Sequence, residues 1–111
     1  MSAHAFSPDG KVLSGREGES NIVFFDTSTW EKIKIITDTS ARIQSAEFTP
    51  DGEVLIACAR NGDIIFWNWK TETKLRTLSV SSFLPTVLSP DGKILVSYNE
   101  FDGEIYLWGV P

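Results

Sequence analysis

FSPDG at 6–10, FTPDG at 48–52 and LSPDG at 88–92 are one phrase written three times. Asp9 and Asp51 lie 42 residues apart, Asp51 and Asp91 40 apart. A fixed period of this size is the mark of a repeat architecture, in which each unit buries its apolar face against the next. The phrase itself is a turn. Proline presets φ at the second position, aspartate suits the third, and glycine accepts positive φ at the fourth. A type I turn followed by a bulge closes hairpins, so a strand is expected on each side.

Working outward, an apolar stretch follows each turn, at 11–13, 53–59 and 93–98. A break comes next, at 15–21, 60–63 and 99–103. Then come "NIVFFD" at 21–26, "DIIFWN" at 63–68 and "EIYLWG" at 104–109. These aromatic and β-branched runs favour strands. Polar breaks at 27–29 and 71–73 lead to further strands at 32–37 and 74–78. No stretch sustains a 3.6-residue period, so no helix is expected. The expectation is an all-β chain of 4 + 4 + 3 antiparallel strands.

Four short strands per period of about 40 residues is the pattern of a β-propeller blade. The segments "AFSPDGK" and "AEFTPDGEVLIACARNGDIIFWNWKTETKLRTL" resemble the WD40 repeat, and the likeness runs over nearly the whole chain. Phe25-Asp26, Trp67-Asn68 and Trp108-Gly109 stand where that family places its Trp-Asp pair. "LSPDGKILVSYNEFDGEIYLW" is also similar, more weakly, to propeller repeats of the TolB and prolyl-peptidase type. The chain departs from the WD40 pattern at the Gly-His pair, which would fall at Asp38-Thr39 and Leu78-Ser79. The family's polar network of His, Ser, Asp and Trp is thus incomplete. Asp102 and Trp108 fill two of its positions in the third unit, with Ser79 at the histidine's place. The blades are expected to hold by packing instead. The resemblance implies a partial propeller over 1–111: blade 1 about 2–38, blade 2 about 42–79, blade 3 about 82–109 without its outer strand. It also puts the fourth strand of a blade outermost, where Lys32, Lys34, Lys74 and Arg76 would form a solvated edge that discourages pairing.

Three blades are too few to close a ring. Each end of such a stack leaves an apolar face wet. Three explanations stand open: a piece of a longer propeller, a ring built from several copies, or a segment completing a partner's ring. In each, the strand Glu104, Ile105, Tyr106, Leu107 and Trp108 offers an edge that accepts another strand.

Composition narrows the function. Formal charge is −5, with no basic run, which disfavours nucleic acid and anionic membrane as partners. No apolar run approaches bilayer length. The first residues lack the basic and apolar regions of a secretory signal, and an intracellular, cytoplasmic location is expected. The single histidine, His4, and single cysteine, Cys58, are too few for a zinc site. His4 reads as an incidental strand or surface residue and Cys58 as a small buried hydrophobe, so neither a Ser-His-Asp nor a Cys-His arrangement is expected. Asn99, Asp102 and Glu104 cluster without the spacing of a calcium loop. No cofactor, metal or catalytic residue is expected.

The resemblance also gives the arginines a place. In WD40-like topology the loop between strands two and three shares a rim with the loop joining successive blades. Arg16 and Arg60 fall in loops of the first kind, Arg42 in the second. Guanidinium groups suit carboxylate and phosphate, so this rim is a candidate site for an acidic or phosphorylated peptide. The plainer alternative pairs each arginine with a nearby acid such as Glu17, Glu19 or Asp38. Phe101, in a loop on the same rim, is a candidate interface anchor. The function expected is a non-catalytic scaffold for protein–protein interaction or assembly. The alternative is a propeller that controls access to a hydrolase or peptidase domain encoded elsewhere.

Overall fold

The computed structural model describes residues 2–18, 21–37, 42–79, 86–99 and 103–110. They form three antiparallel sheets in chain order. The first contains β1 (Ser2–Phe6), β2 (Val12–Glu17), β3 (Asn21–Asp26) and β4 (Lys32–Ile36). The second contains β5 (Ile43–Phe48), β6 (Val54–Ala59), β7 (Asp63–Asn68) and β8 (Thr73–Ser79). The third contains β9 (Thr86–Leu88), β10 (Ile94–Asn99) and β11 (Glu104–Gly109). Each sheet is a meander, and the three stack as an unclosed arc of propeller blades. No helix occurs among the described residues.

The turns form as their composition requires. Gly10, Gly52 and Gly92 take φ near +74° (74, 73 and 75°). Their amides donate to the carbonyls of Ser7, Thr49 and Ser89 at 2.8–2.9 Å. The residue before the proline has a second task. The hydroxyls of Ser7, Thr49 and Ser89 donate to Asp9, Asp51 and Asp91 at 2.6–2.7 Å, and each aspartate also accepts the backbone N–H two residues on.

These hydroxyls, and then the backbone N–H bonds, hold the three carboxyls below their ordinary value of 3.8. A depressed carboxylate stabilises the fold above the unfolded value, and the contribution vanishes as pH falls through the folded one. Glu47 has the opposite sign. Burial raises its pKa above the ordinary 4.5, so its ionisation opposes folding as pH rises just above that value. Resistance to urea is therefore expected to fall below about pH 3.8, and a Ser7→Ala/Ser89→Ala double variant to lose part of that pH dependence. Urea titrations at about pH 5 and about pH 3 would check both.

The core explains why β6 is apolar throughout. Every residue of β6 is buried, because blade 2 has a neighbour on both faces. Leu55, Ala57 and Ala59 point into the core shared with blade 1, and Val54, Ile56 and Cys58 into the core shared with blade 3. At the first junction the Phe24 ring stacks on Trp69 with centroids 4.8 Å apart and meets the edge of Phe48 at 6.4 Å. The Trp69 indole N–H donates to the Gly52 carbonyl at 2.8 Å, which fixes that ring against the turn.

Two differences from the sequence reading are local. The break expected at 15–21 begins later: β2 runs through Glu17, because Arg16 is paired with Ser2 on one side and Ile22 on the other. The basic residues of the outer strands also do more than face solvent. Lys34 Nζ donates to the Lys70 carbonyl at 2.5 Å and Arg76 donates to the Gly109 carbonyl at 3.2 Å. Each latches a blade to the one after it, from equivalent positions opposite Phe24 and Phe66.

Candidate interaction surfaces

Antiparallel meanders put the β1–β2 and β5–β6 hairpins at one end of the sheets and the β2–β3 and β6–β7 turns at the other. The second end carries three of the four arginines. Arg16 sits in β2 rather than in a loop, Arg60 opens the β6–β7 turn, and Arg42 immediately precedes β5. Arg60 N–H donates to the Arg42 carbonyl at 2.8 Å, which joins these two residues at the head of blade 2. Arg16 shares a face with its partner Ile22, and Ile22 packs in one core with Ile43, the neighbour of Arg42. The three therefore flank the junction of blades 1 and 2. Phe101, with Glu19, Asp38 and Asp102, lies outside the described residues.

Among the described residues no carboxylate pairs with these arginines. The ion pairs among the described residues are Lys32–Glu17 at 2.8 Å and Lys70–Glu53 at 3.5 Å, so Glu17 serves a lysine and not Arg16. Arg42 Nε is buried with no hydrogen-bond partner among the described residues. His4 joins this region, which the sequence did not suggest. It occupies an irregularity in the β1–β2 ladder between Ala3 and Ala5. Both ring nitrogens are buried without a partner among the described residues. Burial, and then the charge of Arg16, holds its pKa below the ordinary 6.5. The imidazole is thus neutral at physiological pH and can donate from one nitrogen.

At the opposite end, a groove of about 330 Å³ lies between the first two hairpin turns, with Pro8, Pro50 and Trp69 in its wall and Lys11 and Lys70 at its mouth. No group of three or more His, Cys, Asp or Glu able to hold a metal occurs among the described residues. Asn99 and Glu104 are register partners of β10 and β11.

The strand β11 borders the third sheet, with no strand beyond it among the described residues. Tyr106 stacks on Trp108 with centroids 6.0 Å apart. Ile105 and Leu107 project from the other face of the strand and are exposed.

At the positions of the WD40 polar network, Trp67 is buried and its indole N–H has no partner among the described residues, while Lys74 Nζ lies 5.3 Å from its ring centroid. Ser79, at the histidine's place, donates to Asp63 at 2.9 Å. This bond joins the ends of β7 and β8 within blade 2.

The family model for the WD40 repeat (WD domain, G-beta repeat) matches residues 30–68, the span from β4 through β7. The crystal structure of the RRP9 WD40 repeats superposes with a TM-score of 0.82 at 17% identity, over 99% of this chain and 36% of that one. The chain thus spans about a third of the length of that chain. No curated protein matches the chain by sequence. No described helix is long and apolar enough to cross a membrane.

Proposed function

We propose that this chain, which carries a WD40 repeat and has the WD40 propeller fold, is a non-catalytic intracellular scaffold whose arginine rim binds an acidic or phosphorylated protein segment. WD40 domains are generally protein-interaction scaffolds, and fold alone does not choose the partner. The observation that carries the choice is a set of guanidinium donors at the blade 1–2 junction that no described carboxylate engages. Arg16, Arg42 and Arg60 have no carboxylate partner among the described residues, and Arg42 Nε is buried with its hydrogen unassigned. A buried donor without an acceptor costs about 1–3 kcal/mol. An incoming carboxylate or phosphate that fills it recovers that energy and gains charge-assisted bonds. The stacked sheets have uncovered ends, and further blades from the same or another chain are the partners that suit them.

The test is fluorescence anisotropy with a library of phosphorylated and acidic peptides, comparing the wild-type chain with Arg42→Glu/Arg60→Glu. Loss of one charge-assisted bond is worth about tenfold, so the double variant is expected to bind at least about tenfold more weakly with unchanged circular dichroism. Binding of the wild type is also expected to weaken as salt is raised. Equal binding by wild type and folded double variant would remove the rim from consideration.

A further inference from the structure

The groove of about 330 Å³ between the first two hairpin turns has apolar walls, formed by Pro8, Val12, Pro50 and Trp69. It lies inside the arc, between blades 1 and 2, so its opening does not depend on what adjoins either end. Blade 2 makes the point directly. It has a neighbour on both faces, yet Pro50, Asp51 and Glu72 at this end of it are exposed. Stacking covers the faces of a blade and leaves its turns open.

The groove also carries charge. Asp9 and Asp51 line it, one from each turn. Each takes the hydroxyl and the later backbone N–H of its turn on one oxygen, Oδ1, which leaves Oδ2 for an incoming donor. Of the two lysines at the mouth, Lys70 pairs with Glu53 at 3.5 Å, and Lys11 has no ion-pair partner among the described residues. Across the five hairpin turns at this end, the carboxylates of Asp9, Glu31, Asp51, Glu53, Glu72 and Asp91 outnumber Lys11, Lys70 and Lys93. Charge complementarity therefore favours a cationic occupant.

Trp30 belongs to the same surface. It sits in the β3–β4 turn, which is tied to the first hairpin turn through Thr27. The Thr27 N–H donates to the Lys11 carbonyl at 3.0 Å, and its hydroxyl to the Gly10 carbonyl at 2.7 Å. Trp30 is 58% exposed and has a φ of +58°. A bulky side chain is an outlier in that region. The equivalent turn of blade 2 reaches +57° with Glu72, so the turn itself does not require tryptophan. An exposed indole offers a face to a cation and is a common anchor of interfaces.

We infer that this end of blades 1 and 2 docks a basic segment of a partner protein, with an arginine side chain in the groove and Trp30 as a second contact beside it. Pro8, Pro50 and Trp69 cover the apolar stem of the arginine. Asp9 and Asp51 accept from its guanidinium. The surface lies opposite the arginine rim and takes the opposite charge, so it is a second site and does not rest on the first.

Fluorescence anisotropy tests it, with labelled arginine-containing peptides of net positive charge and with the same peptides carrying glutamate in place of arginine. The basic peptides are expected to bind and the glutamate peptides not to. Asp51→Asn keeps an oxygen for the turn bonds and removes the charge, and is expected to weaken binding about tenfold. Lys11→Gln removes a competing cation at an exposed position and is expected to strengthen binding about twofold. Trp30→Gly is expected to weaken binding about tenfold while its urea midpoint holds or rises, because glycine accepts the left-handed φ. That combination separates a contact from a structural role. Arg42→Glu/Arg60→Glu is expected to bind these peptides as the wild type does, which keeps the two sites distinguishable. Preference for the glutamate peptides, with weaker binding by Lys11→Gln, would mean an acidic occupant and would overturn the inference. So would no binding of the basic peptides, or equal binding by wild type and folded Asp51→Asn.

Discussion

Phe24→Ala is expected to destabilise the chain by about 3–5 kcal/mol, the usual cost of emptying a buried phenylalanine site. The ring is fully buried, is stacked on Trp69 and touches Phe48. Its loss would leave a cavity at the first blade junction and strip Trp69 of its stacking partner. Stabilities of about 5–15 kcal/mol are typical of folded domains, so this change would consume a large part of the total. The contrast is Leu107→Ala at the same repeat position in blade 3. That side chain is exposed, and its removal is expected to change the stability of the monomer by no more than about 0.5 kcal/mol. Urea unfolding of both variants, in dilute protein and followed by tryptophan fluorescence, checks the pair. Equal losses would mean that the two positions have the same environment.

Gly92→Ala is the second large effect. A Cβ there would lie closer than 3.0 Å to the Pro50 ring, whose atoms cannot rotate away, and φ is +75°. Gly10 has almost the same φ, +74°, with nothing within 4 Å of its Cβ position. Left-handed backbone costs an L-residue about 1–2 kcal/mol, and overpacking adds about 1–3 kcal/mol. Gly10→Ala is therefore expected to lose about 1–2 kcal/mol and Gly92→Ala about 2–5 kcal/mol by the same principles. Thermal unfolding of the two variants separates backbone strain from steric clash, because only the clash differs.

The repeated turn made the architecture readable. Its proline and glycine act through their own φ, without tertiary help, and its spacing counted the blades. The alternation in "VLIACA" likewise assigned Cys58 to the side of Val54 and Ile56. Sequence alone could not say which neighbour each side faces. Trp69 shows the limit. It lies one residue past β7, outside the alternating run, and its role comes from Phe24, far away in the chain. The hydroxyl before each proline was present in all three phrases, and its bond to aspartate was the signal left unread.

The arginine rim was legible as an end of the sheets, because turn order alone fixes which loops share an end. The state of each guanidinium was not, since that depends on which acids reach it. Glu17 is next to Arg16 in sequence, yet it bonds to Lys32, because successive residues of a strand point to opposite faces. His4 could not have been anticipated. An irregularity in a ladder leaves no trace in composition, and His4 has no histidine counterpart in the other two repeats.

Amide hydrogen exchange tests the central claim, three blades stacked with the second in the middle. The β6 and β7 amides are expected to exchange slowest, near the rate set by global unfolding. Those of β8 and β11, each at the edge of a sheet, are expected to exchange much faster. Protection in β6 and β7 no greater than in β11 would contradict the stack.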